Sequence, residues 1–221
     1  MSTAPLPSLR IDFVSDVVCP WCAIGLASLE EAMRRVAGEI AVDLHLQPFE
    51  LNPQLGPDGE DAVEHLKAKY RIDDAQIAAN QEAIRQRGDA LGFTFDMARR
   101  RRIHNTFDAH RLLHWAADAG EGKALALKRA LLKAYFTDGR NVADHDTLVD
   151  IADSAGLPAE RARAILASGE FADEVRTVER FFIEAGISGV PAIIIDRRHL
   201  ISGGQPPEVF ERALRQIAGG G

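Results

Sequence analysis

The sequence predicts an α/β fold in which strands lie near both ends of the chain and helices fill the middle. Strand-like apolar patterns occur at residues 9–14, 41–49 and 192–196. Helical spacing of apolar residues dominates from about residue 61 to residue 185 and is interrupted at glycines. Both cysteines of the chain follow the first predicted strand. The predicted order is therefore strand–helix–strand, a helical insertion, and strand–strand–helix.

In the first predicted strand–helix–strand segment, Cys19 lies where a buried strand ends and a helix begins. Apolar residues recur at helical spacing after Cys22. A thiol at that junction lies beside unpaired backbone N–H groups and the positive end of the helix dipole, which favour the thiolate. Cys22 lies about one turn further on, within reach of Cys19. A Cys-x-x-Cys pair beside a strand–helix–strand unit is typical of a thioredoxin-like redox site.

Three further roles for the cysteine pair stay open. A structural zinc site normally needs four ligands, and the chain has no second cysteine pair. Free cysteines are often inert core residues. A static disulfide is a weak alternative, because so small a loop constrains little of the unfolded chain. The sequence therefore favours dithiol–disulfide chemistry, with no metal site.

Composition narrows the class of protein. The 221 residues fit one large domain or a domain with an insertion, and 46% of them are hydrophobic. The formal net charge of −7 argues against a nucleic-acid partner. No apolar run approaches the roughly 20 residues of a membrane span, and residues 1–9 lack the pattern of a secretory signal. We therefore expect a cytoplasmic protein, where a cysteine pair is more often catalytic than structural.

The remaining elements follow from periodicity and from capping residues. Asn105 is predicted to cap a helix with Asp108 in the manner of a capping box. A tight turn at residues 197–198 is predicted to join two strands, and a helix is predicted to begin at Pro206 or Pro207. The domains are predicted as a first half at 1–58, an inserted helical domain at 59–186 and a second half at 187–221.

Four segments carry a resemblance to a known family. They are Ser-Asp-Val-Val-Cys-Pro-Trp-Cys at 15–22, Pro-Phe-Glu-Leu-Asn-Pro at 48–53, Asn-Thr-Phe-Asp-Ala-His-Arg at 105–111, and Ser-Gly-Val-Pro-Ala at 188–192 with Ser-Gly-Gly-Gln-Pro-Pro at 202–207. In this order the chain resembles the FrnE-like branch of the DsbA family of thiol–disulfide oxidoreductases. The resemblance implies a thioredoxin-like fold with a large inserted α-helical domain. It also implies disulfide oxidoreductase or isomerase activity without a bound cofactor.

The resemblance assigns roles to the residues of the motifs. Cys19 corresponds to the attacking cysteine and Cys22 to the resolving cysteine. Pro20-Trp21 corresponds to the dipeptide that tunes the redox potential. Val190-Pro191 corresponds to the cis-proline loop that faces the cysteine pair and presents backbone groups to substrate. A proline that opens a strand is itself the best candidate in the chain for a cis bond.

Further residues are candidates for proton transfer or substrate binding. Asp12 resembles the buried acid that accepts a proton from the resolving cysteine, with an exposed strand carboxylate as the alternative. Glu50 is the second candidate, and it could instead cap or pair within its loop. Asn105 and Arg111 are predicted to contact substrate across the gap between the domains.

His110 and His114 lie one helical turn apart, which is a spacing found in metal sites. No carboxylate or cysteine pattern accompanies them, so we expect packed or surface histidines.

Two other functions stay open. A neighbouring branch contains the kappa-class glutathione transferases and the 2-hydroxychromene-2-carboxylate isomerases, which typically have serine in place of Cys19. The chain could also be a non-catalytic polypeptide-binding module that uses the groove at Pro191. The expected partners are protein or small-molecule thiols and disulfides, including glutathione, and the chain is expected to be a monomer or a homodimer. An external thiol must reset the pair, because the chain has no further cysteines.

Overall fold

A four-stranded mixed sheet forms the centre of the protein. The computed structural model describes residues 6–56 and 58–220, so the outermost residues of both predicted end domains lie outside the described residues. The strands are β1 (Ser8–Ser15), β2 (Ala41–Pro48), β3 (Glu60–Asp61), β4 (Arg102–Ile103), β5 (Ala192–Ile195) and β6 (His199–Ser202). The helices are α1 (Pro20–Val36), α2 (Ala62–Tyr70), α3 (Asp74–Ala90), α4 (Phe107–Asp118), α5 (Lys123–Phe136), α6 (His145–Ser154), α7 (Ala159–Leu166), α8 (Ala172–Glu184) and α9 (Pro207–Ala218).

The sheet has the strand order β2-β1-β5-β6. β1 and β2 are parallel and are joined by α1, whereas β5 pairs antiparallel with both β1 and β6. Because side chains alternate along a strand, Ile11 and Phe13 face the large core that contains Phe210 of α9. Val14 faces the opposite side and packs with Phe182 of α8. The sheet is thus covered on both faces, and the predicted thioredoxin-like fold is confirmed.

The helices α2–α8 form the insertion between β2 and β5. Four of these helices each contribute a buried side chain to the apolar cluster that also contains the sheet core. These side chains are Leu112, Leu131, Leu148 and Ile165. No described helix has the length and apolar character that crossing a membrane requires. The domain boundaries at 58/59 and 186/187 stay predictions.

Two local details differ from the sequence-based expectation. Thr106, not Asn105, is the N-cap residue of α4, and Asn105 Oδ1 accepts the backbone N–H of Phe107 at 2.9 Å. The capping-box prediction is wrong because the Asp108 carboxylate instead binds Arg111 and His145. The short β3–β4 pair was not predicted, since two-residue strands carry no periodic signal.

Candidate active site

Cys19 is the N-cap residue of α1. Its backbone is extended, with φ −93° and ψ 115°, and its carbonyl oxygen accepts the N–H of Cys22 at 3.0 Å. Pro20 opens the helix, where the missing N–H costs no helical hydrogen bond. The Cys19 thiol therefore lies at the N-terminus of a helix of 17 residues, as the sequence predicts.

The loop that precedes β5 packs directly against Cys19. The Val190–Pro191 peptide bond is cis, as expected, and Cys19 Sγ donates to the carbonyl oxygen of Val190 at 3.5 Å. Pro191 also touches α1 closely, because a Cβ atom added to Gly25 would lie 3.0 Å from Pro191 Cγ. The fold therefore brings together two motifs that lie more than half the chain apart.

Cys22 is a free thiol with no solvent-exposed surface. Burial raises its pKa well above the ordinary value, and the hydrogen bond to Cys19 and the charge on Cys19 raise the pKa further. The Lys128 ammonium and the backbone N–H of Asp16 oppose this shift because they favour the thiolate. Its own burial therefore holds Cys22 in the thiol form, whereas Lys128 and the N–H of Asp16 favour its deprotonation.

Asp16 and Lys128 are two buried charged residues near Cys22 that the sequence-based candidates did not include. Asp16 is fully buried, its carboxylate accepts the N–H of Leu51 at 2.8 Å, and it lies 3.5 Å from His110 Nε2. Burial by itself raises the pKa of Asp16, but His110 and Lys128 outweigh it and lower the pKa. Burial lowers the pKa of Lys128, which is 1% exposed.

A signal for Lys128 is present in the sequence. Lys128 lies one helical turn after Ala124 and one before Leu131 and Leu132, along the apolar face of α5. A lysine on an apolar face is a candidate for a buried charge. The partner groups of such a charge lie on other elements and leave no local pattern.

Asp12 is buried, but its side-chain hydrogen bonds go to residues of the sheet. Arg10 binds it at 2.7 and 3.1 Å, and Gln47 Nε2 donates to it at 2.7 Å. Burial raises the pKa of Asp12, and the bonds from Arg10 and Gln47 outweigh that effect and lower it. Its predicted proton transfer with Cys22 stays a prediction.

Glu50 follows β2 and pairs with residues of α8. Arg176 Nη1 binds Glu50 Oε1 and also Glu179 Oε2, the latter at 2.9 Å. The other oxygens of these carboxylates, Glu50 Oε2 and Glu179 Oε1, are buried without a hydrogen-bond partner among the described residues. Burial and the neighbouring charge of Glu179 raise the pKa of Glu50 to about 7. Glu50 can therefore gain or lose a proton near neutral pH.

Asn105 and Arg111 are engaged by the chain itself. Asn105 Nδ2 lies 3.4 and 3.3 Å from the carbonyl oxygens of Pro53 and Leu55. The Arg111 side chain is 4% exposed and donates to the carbonyl oxygens of Ile165, Ser168 and Glu170. These contacts join α4 to the α7–α8 loop, so they give Arg111 a structural role. Contact of either residue with substrate stays a prediction.

The two histidines at metal-ligand spacing lie in different environments. His110 Nε2 faces Asp16, whereas the His114 ring packs against Phe171 with ring centroids 5.4 Å apart. Within residues 6–56 and 58–220, no group of three or more histidine, cysteine, aspartate or glutamate side chains is arranged to hold a metal ion.

Trp21 is the exposed side chain of the motif. It is 37% exposed, and the guanidinium carbon of Arg87 lies 5.6 Å from the centre of its ring. Arg87 belongs to α3 of the insertion, so the inserted helices reach the rim of the site. The sequence-based candidates did not include Arg87.

A family model and several known proteins match most of this chain. A family model described as a DSBA-like thioredoxin domain matches residues 10–215. A probable DsbA oxidoreductase from Streptomyces coelicolor is 38% identical, with a TM-score of 0.87 over 96% of this chain and 90% of that one. YwbO of Bacillus subtilis (strain 168), an uncharacterized protein, is 27% identical over 208 residues, which cover 94% of this chain and 96% of YwbO.

A more distant structure shows the same fold. The cytosolic disulfide reductase DsbM of Pseudomonas aeruginosa, solved with glutathione, is 17% identical. Its TM-score is 0.65, and the match covers 94% of this chain and 98% of DsbM. At this identity the likeness is one of fold.

Proposed function

Since this chain belongs to the DsbA-like thioredoxin domain family, we propose that it is a thiol–disulfide oxidoreductase or isomerase acting through Cys19-Pro-Trp-Cys22. The observation that carries the proposal is the position of Cys19. Its sulfur lies at the N-terminus of α1 and 3.5 Å from the carbonyl oxygen of Val190. The narrower FrnE-like assignment is consistent with the family match.

The exchange takes two steps. The Cys19 thiolate attacks one sulfur of a substrate disulfide, forms a mixed disulfide and releases the other substrate sulfur as a thiolate. The Cys22 thiolate then attacks Cys19 Sγ and releases the second substrate thiolate, which leaves a Cys19–Cys22 disulfide. The substrate gains two electrons and the cysteine pair loses two. Two molecules of an external thiol restore the enzyme: the first opens the Cys19–Cys22 disulfide to form a mixed disulfide, and the second attacks that mixed disulfide, releases the reduced pair and leaves as the external disulfide.

The loop at Val190-Pro191 holds the substrate in this proposal. Its carbonyl group at Val190 faces Cys19, so a substrate backbone that pairs with this loop lies next to the attacking sulfur. Trp21 and Pro20 border the same opening. Glutathione is the first external thiol to test, because DsbM was solved with it. With glutathione as the external thiol, the proposed reaction is the reduction or isomerisation of substrate disulfides in the cytoplasm.

Glu50 is the better matched of the two predicted proton acceptors. Its pKa of about 7 is near the working pH, whereas the pKa of Asp12 is lowered and makes it a weak base. His110 acts electrostatically on Glu50 and lies 3.5 Å from Asp16, whose backbone N–H acts on Cys22. The pKa of Glu50 is the ground on which this residue, rather than Asp12, is proposed as the acceptor of the Cys22 proton.

Single-cysteine variants test the proposal. Cys19→Ser removes the attacking thiolate and is expected to abolish turnover of an insulin or glutathione disulfide substrate. In Cys22→Ser, Cys19 still attacks the substrate disulfide, but no second thiol is present to release the substrate. This variant is therefore expected to accumulate mixed disulfides, which mass spectrometry detects. Full activity of Cys19→Ser would contradict the proposal.

The same variants separate the other functions. A kappa-class glutathione transferase or a 2-hydroxychromene-2-carboxylate isomerase would keep its activity after loss of Cys22. A polypeptide-binding module would keep its affinity for unfolded chains after loss of both cysteines.

A further inference from the structure

Arg87 connects the inserted helices to Trp21 of α1 and to the loop between β6 and α9. It lies in the last turn of α3 and is half-buried. Its Nη2 donates to the carbonyl oxygen of Gly204, in the loop between β6 and α9. The same guanidinium lies over the ring of Trp21 at 5.6 Å, which is a cation–π distance.

The Gly204 loop is packed tightly against the first turn of α1. A Cβ atom added to Gly204 would lie 2.9 Å from the carbonyl oxygen of Trp21. The neighbouring Gly203 donates its N–H to the carbonyl oxygen of Pro191 at 2.8 Å. A continuous series of contacts therefore runs from Arg87 through this loop to Pro191 and the Cys19 thiol.

The charge of Arg87 is not neutralised by an acid. In the described part of the chain its contacts are a carbonyl oxygen and an aromatic ring, and no ion pair joins it to a carboxylate. Arg87 also lines a groove with Glu31 and Glu208, and these two acids are paired with Arg34 and Arg35. The groove has a volume of about 620 Å³. Arg87 is therefore the arginine of this groove that has no carboxylate partner among the described residues, and its guanidinium lies over the ring of Trp21. The protein has a formal net charge of −7.

We propose that Arg87 is a specificity-determining residue that favours disulfides bearing a carboxylate near the exchanged sulfur. The proposal rests on the proposed function and adds its substrate class. Two sources of this chemistry fit, an oxidised acidic thiol such as glutathione disulfide and an acidic segment next to a protein cystine. A fixed guanidinium forms paired hydrogen bonds with a carboxylate, and Arg87 is already held in place by Gly204 and Trp21.

Disulfides that differ in charge test the proposal. The reduced enzyme is mixed with glutathione disulfide, with the neutral bis(2-hydroxyethyl) disulfide or with the cationic cystamine, and the rate of Cys19–Cys22 oxidation is followed by quenching and alkylation. Because a single partly exposed charge pair is involved, Arg87→Ala is expected to slow the reaction with glutathione disulfide by about three- to tenfold. The rate with the neutral disulfide changes by less than about twofold. Arg87→Lys, which keeps the charge, is expected to recover part of the loss.

Arg85→Ala is the matched control. Arg85 is on the same helix and carries the same charge, but it is exposed and paired with Glu82 and Asp89. This variant is expected to keep the wild-type ratio of rates for the anionic and the neutral disulfide. Its ratio shows the effect of net charge alone.

The possible results distinguish a failure of the Arg87 specificity proposal from a failure of the proposed disulfide exchange. Equal slowing with all three disulfides, or an unchanged ratio in Arg87→Ala, would overturn the specificity claim while leaving disulfide exchange intact. A wild-type protein that reacts with none of the three would overturn the proposed function itself. Peptide disulfides with acidic or neutral flanking residues then show which source of carboxylate is preferred.

Discussion

Cys19 Sγ lies 3.5 Å from the carbonyl oxygen of Val190, although 171 residues separate them in the chain. Two features bring them together. Pro20 starts α1 directly after Cys19, and β5 pairs antiparallel with β1 directly after Pro191. The candidate site is thus made by the ends of a strand and a helix, and the inserted helices add Lys128, His110 and Arg87 around it.

The stability of the protein is expected to depend on the protonation of Glu50. Its pKa is about 7 in the folded protein against 4.5 ordinarily, so between these pH values the folded state holds a proton that the unfolded state has released. The free energy of unfolding therefore falls as the pH rises through this window. The shift corresponds at most to about 3 kcal/mol, and solvent screening reduces the expected fall to about 2 kcal/mol.

Urea unfolding at a series of pH values measures this dependence. Because a glutamine carries no titratable proton, Glu50→Gln is expected to have a smaller slope between pH 4.5 and 7 than the wild type; the neighbouring Glu179, whose pKa is also raised, accounts for the remainder. Glu64→Gln, which changes an exposed side chain of α2, is the control and is expected to keep the wild-type slope. Equal slopes in the wild type and in Glu50→Gln would show that the Glu50 proton is not linked to folding.

Lys128 is expected to speed the resolving step. Its ammonium lowers the pKa of Cys22, so Lys128→Met raises that pKa and reduces the thiolate fraction. The mixed disulfide with glutathione is expected to last about five- to tenfold longer at pH 7, because a smaller thiolate fraction slows the attack of Cys22 on Cys19. Acid quenching and mass spectrometry follow its decay. Lys133→Met, an exposed change on the same helix, is the control, and an unchanged lifetime in Lys128→Met would exclude this role.

Gly204 is expected to tolerate no side chain. The methyl group of Gly204→Ala would lie 2.9 Å from the carbonyl oxygen of Trp21 and 3.2 Å from Ile24 Cγ2. Shifting these atoms is expected to cost about 1–3 kcal/mol of stability and to slow exchange. Gly38→Ala meets no atom within 4 Å and serves as the control in thermal unfolding. A Gly204→Ala variant as stable and active as the control would show that the loop adapts freely.

Arg111 is expected to act on stability more than on catalysis. Arg111→Ala removes one donor from each of three carbonyl oxygens of the α7–α8 region, of which that of Ile165 keeps its bonds from Ser168. We expect a loss of about 2–4 kcal/mol in denaturant unfolding. In the folded fraction, kcat/KM for a disulfide substrate is expected to stay within about twofold of the wild type. A much larger fall in kcat/KM, with stability preserved, would instead support the substrate contact that the sequence suggests.

Local signals in the sequence were sufficient for the fold and for the cysteine pair. The strand before Cys19, the proline after it and the proline before β5 each act on their own neighbourhood. The predicted cis bond at Pro191 is also a local feature, because it depends on a proline at the start of a strand. Such features can be read from one sequence because their physical causes lie within a few residues.

Long-range contacts of the site could not be read in this way. Glu50 meets Arg176 across 126 residues of sequence, and Arg111 meets carbonyl groups more than 50 residues away. Asp12 is buried, as the resemblance implied. Its hydrogen bond from Gln47, however, depends on the parallel register of β1 and β2, which no local pattern gives. Partners of this kind are determined by how the elements pack.

The equilibrium oxidation of the cysteine pair tests the central claim most directly. The protein is equilibrated across a series of glutathione redox buffers, alkylated and analysed by mass shift. We predict one two-electron transition in which Cys19 and Cys22 change together and which disappears in Cys22→Ser. Thiols that stay unoxidised across the whole series would contradict disulfide exchange by this protein.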